Sequence, residues 1–375
     1  MSVDAQSAAV TFDPQRLVTA RELKGFSQVD LAREVTGGLT SASVSQFENG
    51  HVRPSAATLE RLATTLDVPV SFFAARRRPP VADRPNEQPE PDVEVHDRAF
   101  FRSLRSTGIR DRRRARALTQ VVHLLVQELE YAVELPAYGV PQHAVPLGSD
   151  LEEIAGQVRS ALGVAPGPVP DMLNVLERHG VVTARFRVSA DKVDAFTIPY
   201  PDRPIVVLGA DKGYRDRSRF DAAHELAHLV LHRDLEPGDA ALEKQAHAFS
   251  AAFLMPADDI ADRLPARADW RRLIDLKLEW QVSIAALLMR AKTVGPMSDA
   301  EYTKAMKALS ARGWRRQEPA DLGAPETPRL LSAALKVAAH AGTTLEELAA
   351  RGGLPIQVLR TVLGPSINPR PSVEL

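Results

Sequence analysis

The stretch from 217 to 256, RSRFDAAHELAHLVLHRDLEPGDAALEKQAHAFSAAFLMP, limits what this chain can fold into more than any other. It contains His224-Glu225-Leu226-Ala227-His228, two histidines four residues apart. On a helix such positions stack on one face, so both imidazoles can reach one metal ion. Glu225, beside the first histidine, then sits where a general base toward water is needed. Neutral imidazole and carboxylate donors suit zinc. Phe220, Ala223, Ala227, Val230 and Leu231 supply an apolar background, which predicts a buried helix rather than a solvated one.

Two histidines are not a complete ligand set. Fifteen residues after His228, Glu243 opens a second helical run over 243–249. A carboxylate from that run leaves the fourth position to water, as catalytic zinc requires. His232 continues the four-residue series, but it stands about 12 Å along the axis from His224, beyond one ion's reach on an unbroken helix. Asp234 lies ten residues past His224. Ligation from there needs a glycine turn, and Leu231 occupies that place. Glu243 is therefore the expected third ligand. His247, one turn further, can touch the site or a ligand's second ring nitrogen. Tyr214 and His247 are the candidates for stabilising an oxyanion.

The string R-x-R-F-x-x-A-H-E-L-A-H over 217–228, followed by E-x-x-A-x-x-F-S-A-x-F-L-M-P from Glu243, resembles the ImmA/IrrE family of metallopeptidases. That family's second motif usually reads E-x-x-A-N; here His247 replaces the asparagine, a change near the ligands rather than among them. The resemblance spans about 150–295.

A second resemblance lies at the other end. Residues 12–74 read as short helices punctuated by caps. Asp13-Pro14 starts one, Ser27 with Asp30 three residues on starts another, Gly37-Gly38 breaks the chain, and Asn49-Gly50 stops a third. The motifs S-Q-x-x-L-A, V-S-Q-F-E-N-G and P-S-x-x-T-L-x-R-L-A resemble the Xre/Cro type of helix-turn-helix regulator, with a loop before the third helix about two residues longer than usual. The resemblance implies that the third helix enters the major groove. Carried over by position, Gln28 contacts the DNA backbone, Ser41, Ser43 and Gln46 face base edges, and Asn49 and Arg53 contact phosphate.

Between these ends the composition changes. Residues 76–97 hold five prolines and mixed charge, a stiff linker rather than a core. From 97 to 116, Arg98, Arg102, Arg105, Arg110, Arg112, Arg113, Arg114 and Arg116 face only Asp97 and Asp111. A second DNA-contacting surface there is the weaker of two expectations. The stronger is a helix whose stripe Leu118, Val121, Val122, Leu125, Leu129 and Val133 braces the next domain or a dimer. Helices over 150–162 and 171–179 precede three short strands near 181–186, 193–198 and 204–208. Such a sheet would wall one side of a substrate cleft, and an extended peptide could add to its edge.

The expected fold is mainly α, α+β overall. It comprises a five-helix Xre-type domain (1–75), a linker (76–97), connecting helices (98–140), a zincin-like domain with a small sheet (141–298) and a helical C-terminal domain (299–375). The chain lacks cysteine, which excludes disulfides and thiolate metal sites and fits a reducing cytoplasm. No signal peptide or apolar run of membrane-spanning length is read. A net charge of −1 offers no bulk attraction to nucleic acid. The resemblances imply a bacterial regulator, acting as a homodimer on operator DNA. Its zinc centre would cleave a protein substrate, a repressor or itself; the alternative is a non-proteolytic repressor whose cleft holds a small-molecule effector.

Overall fold

The computed structural model describes residues 5–75, 108–143, 146, 148–186, 195–210, 213–233, 235 and 239–364. The proline-rich stretch 76–97, the arginines at 98, 102 and 105, and Asp234 lie outside them.

The chain opens with α1 (Ala5–Val10), α2 (Pro14–Lys24), α3 (Gln28–Glu34), α4 (Ser41–Glu48) and α5 (Ala56–Leu66). Each of the last four begins on a side-chain cap. The Asp13 carboxylate accepts from the Gln15 amide, and Ser27 and Asp30 form a reciprocal capping box. Thr40 and Ser55 cap α4 and α5 through the amides three residues on. The expected fifth helix is instead a single 3-10 turn, Val70–Phe73, entered from Pro69. Phe72 and Phe73 are fully buried, so packing rather than helix propensity holds that segment. The sequence reading also missed α1, whose Ala8 is buried in the same core.

Next comes α6 (Ile109–Leu129), which packs along α2. Then follow α7 (Leu151–Ala161), α8 (Met172–Arg178), β1 (Val182–Phe186), β2 (Ala195–Ile198), β3 (Ile205–Gly209), α9 (Arg215–Leu231) and α10 (Ala240–Leu254). The short α11 (Ala257–Ile260) leads to α12 (Trp270–Trp280), α13 (Ile284–Thr293) and α14 (Asp299–Ala311). Three helices complete the order: α15 (Leu330–His340), α16 (Leu345–Gly352) and α17 (Ile356–Leu363). The fold is mainly α with a small mixed sheet.

The sheet runs β1-β3-β2, with β1 parallel and β2 antiparallel to β3. Its strands are buried on both faces, and the two-residue alternation sends each face to a different core. Val182, Ala184, Phe186, Phe196, Ile198, Ile205 and Val207 join a core that also contains the first 75 residues, α6 and α15–α17. Ala195, Val206 and Leu208 join the core built by α7–α10 and α12–α14.

Of the two covers expected for the α6 stripe, the rest of the chain or a second copy, the first is found. Leu118, Val121, Val122, Leu125 and Leu129 are buried within the chain, against α2, the sheet and the C-terminal helices. The stripe is therefore not an association face between copies. Polar contacts secure the same axis: Arg116 Nη2 donates to both Glu22 carboxylate oxygens at 3.0 and 2.9 Å, and Arg351 Nε donates to Glu128 at 2.9 Å.

Candidate metal centre and DNA-facing helices

The α9 segment holds no glycine or proline and is rich in alanine and leucine, which favours a long helix. It is buried almost all round, between the sheet and α10. Four-residue spacing then brings His224 Nε2 to 3.1 Å from His228 Nε2. From α10, Glu243 meets both: its Oε2 lies 3.3 Å from His224 Nε2, and its Oε1 lies 3.8 Å from His228 Nε2. The three donor groups lie within 4.8 Å of one another.

What stands behind these donors is as specific. His228 Nδ1 lies 3.1 Å from His232 Nδ1, and His232 Nε2 lies 3.1 Å from Gln245 Oε1. An amide oxygen only accepts, so His232 carries its proton on Nε2 and offers Nδ1 as an acceptor. His228 then donates from Nδ1, which leaves its Nε2 lone pair facing Glu243 and His224. Burial lowers the His232 pKa, keeping it neutral in this relay.

Glu225 is 3% exposed and accepts a 2.6 Å hydrogen bond from Thr197 Oγ1 of β2. Burial pushes its carboxyl up to about 8; the Thr197 hydrogen bond opposes this, and the Asp221 and Glu243 charges add to it. His247 packs against His224 with ring centroids 4.9 Å apart, and Phe220 packs against His247 at 5.5 Å. Tyr214 fails as an oxyanion candidate. It caps α9 ten residues before His224, about 15 Å along the axis, and lines a different cavity.

Thr197, His232 and Gln245 are site residues that sequence reasoning did not place. The four-residue series through His232 and the helical neighbour of Glu243 at 245 carried a signal for two of them. Nothing local marked Thr197.

At the other end, α4 exposes Ser41, Gln46 and Asn49, with Ser43 half-buried. Ser43 Oγ shares a hydrogen bond with Thr40 Oγ1, and Asn49 Nδ2 donates to Ser45 Oγ. Gln28, at the first position of α3, uses one amide hydrogen on Glu48 at 2.7 Å. Glu48 is also held by Arg21, at 2.5 and 3.0 Å, so α2, α3 and α4 share one buried polar joint. Arg53 Nη1 donates to the Val10 carbonyl at 2.9 Å, tying α1 to the turn after α4.

Residues 17–73 match the helix-turn-helix family, and residues 176–292 match the IrrE N-terminal-like domain. This chain is a fusion of those two domains. A comparison with curated proteins found no match. The helix-turn-helix match supports DNA binding. The IrrE-type domain is metallopeptidase-like and implies a metal, and it encloses the His224, His228 and Glu243 cluster. Among the described residues no helix is long and apolar enough to cross a membrane.

Proposed function

We propose that this chain is a bacterial cytoplasmic transcription regulator whose helix-turn-helix binds operator DNA and whose IrrE-type domain is a zinc peptidase. On receiving a signal it would cleave a regulator protein or the chain itself. One observation carries the reading: the donor atoms of His224, His228 and Glu243 converge beside the buried, hydrogen-bonded carboxyl of Glu225. The donor set fits zinc. Bonds of about 2.0–2.2 Å in a tetrahedron set donors roughly 3.4 Å apart; here the two Nε2 atoms stand 3.1 Å apart, and Glu243 lies 3.3 Å from His224 through Oε2 and 3.8 Å from His228 through Oε1.

When bound, zinc supplies Lewis acidity that brings the pKa of a water toward about 7. With the metal held by His224, His228 and Glu243, Glu225 would accept a proton from water and return it to the leaving amine. Thr197 fixes the carboxyl's orientation through its hydrogen bond. His232 and Gln245 fix His228. His247, on the exposed side of His224, is the remaining oxyanion candidate.

Metal analysis with incubation of the wild type, Glu225→Gln and His224→Ala, alone and with a candidate repressor, tests this. Wild type and Glu225→Gln should carry about one zinc per chain, only wild type should cleave, and His224→Ala should do neither. Stoichiometric zinc in Glu243→Ala would overturn the ligand set.

The second reading is a non-proteolytic repressor with the zincin-like cleft as its effector pocket, and a neighbouring cavity offers further room for a ligand. A cavity of about 410 Å³ lies beside α9, lined in part by Tyr214, Phe220, Lys277, Trp314 and Glu318. Phe220 connects it to His247 and hence to His224. If Glu225→Gln regulates normally in cells, sensing rather than cleavage is the function. A homodimer on paired half-sites is part of either reading, because dimers of this class read two half-sites.

A further inference from the structure

We infer that the first turns of α6 form a second, sequence-independent contact with DNA, with Arg110 and Arg114 meeting backbone phosphates beside the surface that α3 and α4 present. The inference rests on the DNA-binding reading above and goes beyond the domain that reading assigns, since α6 lies outside residues 17–73.

The helix-turn-helix domain is short of positive charge. Residues 5–75 contain six Lys/Arg and seven Asp/Glu. Arg16 and Arg21 are buried. Lys24 pairs with Asp67, and Arg33 with Asp30 and Glu34. Arg53 and Arg61 donate to backbone carbonyls. Affinity for duplex DNA comes largely from cations set against phosphates, and with Arg53 and Arg61 alone outside ion pairs and the core among the described residues of this domain, this surface gains from cations supplied beside it.

α6 supplies them at the right place. Arg110, Arg112, Arg113, Arg114 and Arg116 face one acid, Asp111, within its first eight residues. Arg116 is committed to Glu22, and Arg113 lies 3.8 Å from the same carboxylate. Arg110 and Arg114 are exposed, and neither pairs with a carboxylate among the described residues. They stand four apart on one face, where like charges repel. A polyanion relieves that repulsion.

Position is fixed by Gly25, the left-handed residue that ends α2, with φ 69°. A methyl group there would meet Arg110 Nε at 2.8 Å, so the guanidinium lies directly over the α2–α3 turn. Three residues on is Gln28, at the helix N-terminus that meets phosphate in this class of domain. The Asp30 carboxyl, held low chiefly by hydrogen bonds from Ser27, also feels Arg110.

The test is binding of the full-length protein to a labelled mixed-sequence duplex across a salt series. The set is wild type, Arg110→Ala, Arg114→Ala, the double Arg110→Lys/Arg114→Lys variant and Gln28→Ala, with melting curves for each. Each alanine should flatten the slope of log affinity against log salt by about 0.9, weaken all duplex sequences by the same factor and leave the melting curve unchanged. The lysine double variant should restore the wild-type slope. Wild-type binding with slopes unmoved by both alanines, while Gln28→Ala weakens it, overturns the α6 contact and leaves the DNA-binding reading standing. A wild type that binds no duplex at low salt overturns both.

Discussion

A histidine's coordinating nitrogen is set by whatever holds its other nitrogen, and His228 is held by two residues in series. Gln245 Oε1 fixes the tautomer of His232, and His232 fixes that of His228. Neither Gln245 nor His232 belongs to the donor cluster, yet both should govern metal affinity. Gln245→Leu and His232→Phe should each weaken zinc binding by about 10–100-fold, read by competition with a chromophoric chelator, while the fold persists. Equal affinity in all three proteins would reduce the relay to packing. At the DNA end the informative residue is Gln46, exposed on α4. Gln46→Ala should cost about 1–3 kcal/mol on a duplex selected for tight binding and relax preference at one base pair. Equal losses on selected and scrambled duplexes would move α4 out of the groove.

At the level of elements, β1 and α8 share a buried acid whose titration reaches the C-terminal helices. Glu177 of α8 accepts from Thr183 Oγ1 at 2.5 Å and from the Arg329 amide at 2.9 Å, just before α15. Burial chiefly raises its pKa, against those hydrogen bonds. A raised folded pKa means the folded state holds the proton more tightly than the unfolded chain does. That contribution to stability is complete below the unfolded value of about 4.3 and fades as pH rises through the folded value. Glu177→Gln stays uncharged and keeps an acceptor oxygen, so its melting temperature should fall less than wild type's as pH rises through this range. Identical profiles would place the pH dependence elsewhere. The same elements mark what the sequence could and could not reveal. His224 and His228 were legible because helical spacing is local, Glu243 because its rivals His232 and Asp234 are ruled out by reach, and the capped helices 14–66 because caps are local. Thr197 was not, since its contact with Glu225 depends on how β2 lies against α9. Nor was the partner of the Leu118–Leu129 stripe, because periodicity reveals a covered face without naming its cover. The turn at 70–73 read as a helix since Phe72 and Phe73 are apolar at any local geometry.

Across the whole molecule, α6 joins three parts: α2 on one side, the sheet and α15–α17 on others. Leu125 is fully buried there. Leu125→Ala should cost about 2–5 kcal/mol, and thermal unfolding should show the helix-turn-helix and the sheet loosening in one transition. Two well-separated transitions would contradict that shared core. The seat of α2 on α6, with the Arg116–Glu22 pair inside it, has a consequence for proteolysis. A peptide bond cut between residues 76 and 107 severs the covalent path but none of these contacts. The two fragments should co-elute on a native sizing column and separate only in denaturant. For this chain, being cut and coming apart are different events, and a protease acting on that stretch would nick it without freeing its helix-turn-helix end.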